Sequence, residues 1–319
     1  MSTSKMTRPF PKFSELQLDE TDPPNSAWGL WGPDDELGTL NHLTTERTVE
    51  AAKLVKTGTR IGLNWSLEQM DFAGDFRQLL KHEIFELGKN MNDDRLTFNT
   101  QTSSQWDGLR HWGFDDGRFY NGLTQAEIHS NTTPKLGIHA WAKQGIVGRG
   151  VLIDFASYAA RNNILYDPLD HYAIPLSLFH QIARESNIAL QSGDIILLRT
   201  RFTAAFESAS LEVKKAIFAK SPFQYPGLEA SPQALEFLWN TQIAAVAGDC
   251  PGFEAWPPAK EAMHQTLLSG FGMPIGELFD LEDLAKECDK QQRWSFFFTS
   301  QVLNVKGGVA SPPNAIAIF

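Results

Sequence analysis

The residues best suited to chemistry lie in one short run, Gln101-Thr-Ser-Ser-Gln-Trp-Asp-Gly-Leu-Arg-His111. Successive side chains of an extended strand alternate between its two faces. On that period Leu96, Phe98 and Thr100 point one way, while Gln101, Ser103, Gln105 and Asp107 point the other. Leaving a buried polar side chain without a partner costs on the order of 2–7 kcal/mol. The polar face must therefore meet solvent or a bound ligand, and a ligand is the stronger reading. With His111 four residues after Asp107, the run offers a carboxylate and an imidazole, the groups that hold divalent metals or move protons near neutral pH. The bland alternative is an ion pair at a strand end.

This spacing resembles the signature of the cyclase family, which includes bacterial kynurenine formamidase and isatin hydrolase: His-x-Gly-Thr-His-x-Asp-x-x-x-His. Gln101 and Gln105 stand where the family has its first two histidines, and Asp107 and His111 match the aspartate and the last histidine. The family's further ligands, a histidine on a helix and a later glutamate, correspond to His264 and Glu277. The resemblance runs from about Trp28 through Gly148-Arg-Gly-Val-Leu-Ile-Asp154, Gly193-Asp-Ile-Ile-Leu-Leu-Arg-Thr200 and Ala247-Gly-Asp249. It implies a swivelling β/β/α single α/β domain with a mixed, barrel-like sheet, spanning residues 28–319 behind an N-terminal arm at 1–27. It also implies a homodimer or homotetramer.

The same resemblance implies a metal set of Asp107, His111, His264 and Glu277, with Gln105 as a weaker oxygen donor that suits Mn better than Zn. In the formamidase pattern the first two histidines and the aspartate hold one metal. The exchange to glutamine puts that position in question here, whereas the set around His111, His264 and Glu277 survives. One divalent ion, Mn or Zn, would polarise a carbonyl and acidify water for hydrolysis of an amide or lactone-like substrate. Without a metal, Asp107, His111, His264 and Glu277 remain coupled acids and bases able to run a cyclisation, elimination or dehydration. A relative that binds a ligand without turnover is the third reading. Taken alone, His264 beside Met263, Leu267 and Leu268 reads as a core histidine, and the glutamines as hydrogen-bonding filler.

Aromatic residues crowd the motif: Trp28, Trp31, Trp106, Trp112, Phe114, Phe119 and Tyr120. Such walls suit a planar or apolar small-molecule substrate. Trp106, Trp112 and Tyr120 are expected to line the pocket with Gln101 and Gln105. Arg110 could pair with a substrate carboxylate, and Asn121 could donate to a developing oxyanion, although Tyr-Asn-Gly is equally a turn signal.

A net charge of −10 argues against nucleic acid or an anionic membrane as partner. No glycine loop for a nucleotide phosphate and no Gly-x-Ser-x-Gly elbow is present, so no nucleotide cofactor is expected. Two cysteines, Cys250 and Cys288, make no disulfide framework, and no window reaches the length of an apolar membrane span. A cytoplasmic protein is the expectation.

The elements that must position these groups follow from periodicity and breakers. A helix should run from a Thr44 or Thr45 cap to about Lys56, followed by a half-buried strand over Ile61, Leu63, Trp65 and Leu67. The motif strand is placed near 96–105, a turn at Gly145–Gly150, and strands at Val151–Phe155, Asp194–Thr200 and Ile243–Ala247. Leu176, Leu178, Phe179, Ile182 and Ala183 form a helical stripe, and Ser231-Pro232 opens another helix. Helices near Met263–Leu268 and Leu281–Lys290, then strands near Trp294–Val305 and Ala315–Phe319, complete the chain.

Overall fold

The computed structural model describes residues 9–74 and 77–319. Its strands, in chain order, are β1 (Arg60–Gly62), β2 (Lys81–Gly88), β3 (Met91–Thr97), β4 (Gln105–Asp107), β5 (Ile146–Asp154), β6 (Ala173–Ile174), β7 (Ile195–Arg199), β8 (Gly227–Leu228), β9 (Ala245–Gly248), β10 (Ile275–Glu277), β11 (Ser295–Ser300), β12 (Ala310–Ser311) and β13 (Ile316–Ile318). Nine of them form one curled, half-barrel sheet in the order β1-β13-β11-β5-β7-β9-β10-β4-β12. The four central strands, β5, β7, β9 and β10, are parallel, and antiparallel strands extend the sheet on both sides. The sheet is thus mixed, and the chain is a single α/β domain.

Alternation along the central strands divides the core. Leu152, Leu197 and Ala247 face one cluster with Trp106, Phe296 and Phe298. Val151, Ile153, Ile196, Leu198 and Val246 face the other, covered by Phe179, Ile182, Leu238, Trp239 and Leu267. The whole of Ile195–Leu198 is buried, and each such side chain contributes about 1.5–3 kcal/mol. The helices Leu176–Glu185 and Pro232–Asn240 lie where the periodicity puts them, the second opened by the Ser231 side chain accepting from the Ala234 N–H.

Several boundaries differ from expectation. The strand expected over 61–67 ends at Gly62, because Leu63 and Trp65 turn into separate contacts with Ala315 and Ser104. The region expected as a turn at Gly145–Gly150 is strand from Ile146 onward. Gly150 is needed for close packing, since a Cβ there would lie 2.3 Å from the Phe296 ring. The helix at Thr45–Ala52 stops short of Lys56, and β11 ends at Ser300.

The largest change concerns the motif. In place of one strand at 96–105, an exposed hairpin of β2 and β3 ends at Thr97, and only Gln105–Asp107 is extended in the sheet. Residues between them turn because short polar side chains capture backbone groups. The Gln101 N–H donates to Asn99 Oδ1, Thr102 Oγ1 donates to the Gln78 carbonyl, and Ser103 Oγ donates to the Trp65 carbonyl.

Residues 9–27 lie against the core. Phe10 stacks on Trp239 at 4.8 Å, and Trp239 Nε1 donates to the Pro11 carbonyl. Among the described residues no helix is long and apolar enough to cross a membrane, and Cys250 and Cys288 are free and buried.

Candidate active site

Antiparallel pairing of β4 with β10 sets Gln105 opposite Glu277 and Asp107 opposite Ile275. Gln105 and Asp107 therefore share one face with Glu277, while Trp106 points oppositely into the core and donates to Ser300 Oγ at 2.9 Å. His111 follows on the turn after β4. His264 stands, as expected, on a short helical stretch, which continues directly into a π turn, Thr266–Phe271. Such turns inside helices recur at functional sites.

These segments bring two imidazoles and three carboxylates together. His264 Nε2 lies 3.4 Å from Asp107 Oδ2 and 3.7 Å from Glu277 Oε1. His111 Nε2 lies 3.5 Å from Asp107 Oδ2, and the two imidazole centroids are 5.9 Å apart. Behind His264 stands Glu254, fully buried, with Oε1 accepting the His264 N–H at 2.9 Å. Asp107, His111 and His264 can each direct one ligand atom so that all lie within 4.8 Å of one another. Two imidazoles and a carboxylate are a donor set that fits a divalent cation. Glu277 stands beside this trio.

The glutamines present nitrogen to the carboxylates. Gln101 Nε2 donates to Asp107 Oδ1 at 2.5 Å and lies 3.1 Å from His111 Nδ1. Gln105 Nε2 donates to Glu277 Oε2 at 2.5 Å, and its Oε1 accepts from Arg77 Nη1 at 3.3 Å. The Gln105 amide thus spans Arg77 and Glu277, and its oxygen, expected as a weak metal donor, accepts from Arg77.

Burial pushes the Asp107 carboxyl up, but His111, His264 and Gln101 outweigh it and hold it at about 2. Burial works against the His264 charge too, yet Glu254 and Asp107 raise its pKa well above the usual histidine range. Glu254 stays ionised against its burial because His264 faces it. Glu277 is driven well above the carboxylate range by burial and by the Asp107 charge. Burial also lowers the pKa of His111, despite Asp107. The cluster without a metal therefore pairs Asp107 and Glu254 with a cationic His264, beside a neutral Glu277 and a neutral His111. Of its members His111 reaches solvent, with 22% of its side chain exposed against 5% for His264.

Trp112 closes one side, its ring 5.0 Å from His264 and 6.1 Å from Trp256. The other expected pocket residues serve the frame. Arg110 donates to the carbonyls of Lys135, Thr133 and Gly307. Tyr120 is fully buried and donates to Asp35 Oδ2, and Asn121 takes a left-handed turn conformation and bonds Gly29, Gly32 and Asp35. Trp106 faces the core by the alternation of β4, and the turn after Asp107 carries Arg110, Tyr120 and Asn121 away from the cluster. Conversely Glu254, Arg77 and Trp256 reach the site from segments without periodicity. Only an acidic residue amid Gly252-Phe-Glu-Ala-Trp256 hinted at one of them. An open cleft of about 500 Å³ between residues 31–37 and Ala140–Gln144 contains none of the cluster.

Fold and cluster together define an α/β protein with a buried acid–imidazole centre on a curled sheet. The chain belongs to the cyclase family: the family model described as "Putative cyclase" matches residues 25–255, a span that includes Gln101–His111 and ends before His264 and Glu277. A crystal structure described as a novel cyclase is similar at a TM-score of 0.82 and 29% identity, over 92% of this chain and 99% of that one. Isatin hydrolase A from Labrenzia aggregata, bound to benzyl benzoate, shares the fold at a TM-score of 0.58 and 16% identity, over 84% and 94% of the two chains. Isatin hydrolase A from Ralstonia solanacearum does so at 0.57 and 16%, over 86% and 97%. Comparison with curated proteins gives no match.

Proposed function

We propose that the protein is a hydrolase of a small amide or lactone-like carbonyl compound, working with one divalent metal held by Asp107, His111 and His264. The convergence of those three side chains carries the reading, and Trp112 and Trp256 beside them supply a wall for an aromatic group. What such a cation supplies, when bound, is Lewis-acid polarisation and acidification of water. His111 is the solvent-side ligand of the set, with 22% of its side chain exposed, so substrate and water would approach from its side. Glu277, whose pKa burial and the Asp107 charge raise in the metal-free cluster, is the further acid–base group beside the trio. Asp107 orients both imidazoles.

The position of Gln101 favours a second reading. Its amide nitrogen bridges Asp107 Oδ1 and His111 Nδ1, and so ties a carboxylate to an imidazole without a cation. A cluster that keeps this amide would run metal-independent proton transfer, such as a cyclisation, elimination or dehydration.

Elemental analysis of protein purified without chelator decides between them, together with turnover of isatin and a panel of aryl amides and lactones. Near one equivalent of Mn or Zn per chain, and hydrolysis abolished by chelator and restored by that metal, supports the first reading. Turnover indifferent to chelator and free of metal supports the second.

The proposed assembly is a homodimer or homotetramer. Both faces of the β2–β3 hairpin carry exposed apolar side chains, among them Ile84 at 71% and Leu87 and Met91 at 58%. A two-stranded hairpin is marginal in water without a surface to pack on.

A further inference from the structure

Glu254 belongs to no motif and touches neither Asp107 nor His111 in any hydrogen bond, yet its carboxylate grips His264 at two points. Oε1 accepts the His264 backbone N–H at 2.9 Å, and Oε2 lies 3.4 Å from the ring Nδ1. The carboxylate is itself held firmly. Glu254 sits in the segment that docks on β8, where the Leu228 N–H donates to the Phe253 carbonyl and the Ala255 N–H to the Leu228 carbonyl. That approach requires Gly227, since a Cβ there would lie 2.5 Å from the Glu254 carbonyl carbon.

A carboxylate has only acceptors to offer. Nδ1 must therefore carry a proton, which leaves Nε2 as the atom turned toward Asp107 at 3.4 Å and Glu277 at 3.7 Å. We propose that Glu254 is the positioning residue of the site: it fixes the orientation of His264 and keeps a proton on Nδ1, so that Nε2 is the working nitrogen. The assignment deepens the metal reading, because a histidine ligates through the nitrogen opposite the one its carboxylate partner holds.

Glu254→Gln tests it with little loss of packing. The backbone N–H of His264 can pair only with the amide oxygen, so the amide NH2 must face Nδ1. A donor at that position makes Nδ1 an acceptor and removes its proton, leaving the ring with a proton on Nε2 alone. Long-range ¹H–¹⁵N spectra of the full-length, metal-free protein, with His264 assigned by its loss in His264→Gln, read the ring directly. The expected result in the metal-free protein is a proton on both ring nitrogens in the wild type, a bare Nδ1 with Nε2 still protonated in Glu254→Gln, and return to the wild-type pattern in Glu254→Asp. Titration with Mn²⁺ and Zn²⁺ should show roughly 10–100-fold weaker binding in Glu254→Gln, the usual effect of losing such a partner. A wild-type ring with no proton on Nδ1, or a ring unchanged in Glu254→Gln, overturns the assignment. Should Glu254→Gln fail to fold, the wild-type spectrum alone decides it. A wild type that binds neither metal but shows the protonated Nδ1 and its loss in Glu254→Gln overturns the metal reading and leaves Glu254 in its role.

Discussion

Gln105 and Glu277 face each other across the antiparallel β4–β10 pair, and the glutamine amide donates to the glutamate carboxyl at 2.5 Å while its oxygen is held by Arg77. One neutral side chain thus joins a buried acid to a cation. Gln105→Leu keeps the bulk and removes both bonds. It should destabilise the fold by about 1–3 kcal/mol, the cost of leaving a buried polar group unmade. Urea unfolding measures this, and an unchanged midpoint would place the pair outside the stabilising network.

Asp107→Asn and His111→Ala should each lose most of any bound Mn or Zn, whereas Gln105→Leu should keep most of it, because the converging donors are Asp107, His111 and His264. Metal content after dialysis against a trace of either ion is the measurement. Metal retained by both ligand variants would dismiss this trio.

Arg110 separates a frame role from a substrate role. Its guanidinium reaches three carbonyls on two loops, and hydrogen bonds to charged groups contribute about 1.5–3 kcal/mol each. Arg110→Ala should lower stability by roughly 3 kcal/mol, and Arg110→Lys should recover little, since an ammonium cannot span the fork. Thermal melts of the two variants test this. A stable Arg110→Ala with a raised KM would return Arg110 to the pocket.

His42 should make the fold acid-sensitive. Burial first, then Arg47, lowers its pKa from 6.5 to about 3. The unfolded chain therefore takes up a proton that the folded chain refuses, and the contribution is complete above pH 6.5 and lost as pH falls toward 3. The slope from this residue is about 1.4 kcal/mol per pH unit within that window. His42→Leu should flatten the decline of stability between pH 6.5 and 5, measured by urea unfolding at each pH. An unaltered slope would assign the acid limb elsewhere.

Trimming the hairpin should dissociate the proposed assembly. Replacing residues 84–91 by a short Asn-Gly turn removes Ile84, Leu87 and Met91, none of which packs in the core. Light scattering should give a dimer or tetramer for the wild type and a monomer for the variant, with both melting cooperatively. A monomeric wild type would refute the assembly.

The local content of the chain determined a good deal. Apolar runs such as Ile195–Leu198 and the stripe of Leu176–Ala183 specify elements whose burial needs little further information, because periodicity and burial are the same fact seen twice. The alternation of Gln105 and Asp107, and the order of His111, His264 and Glu277, were legible as a candidate centre. Three things were decided only by tertiary structure. A turn locked by Asn99, Thr102 and Ser103 replaced a continuous strand, since short polar side chains compete with the ladder for backbone groups. Arg110, Tyr120 and Asn121 joined the frame, since the chain direction after Asp107 depends on contacts with distant loops. Glu254 and Arg77 joined the site, since a carboxylate or guanidinium finds its buried partner through the fold, and no spacing along the chain encodes that distance.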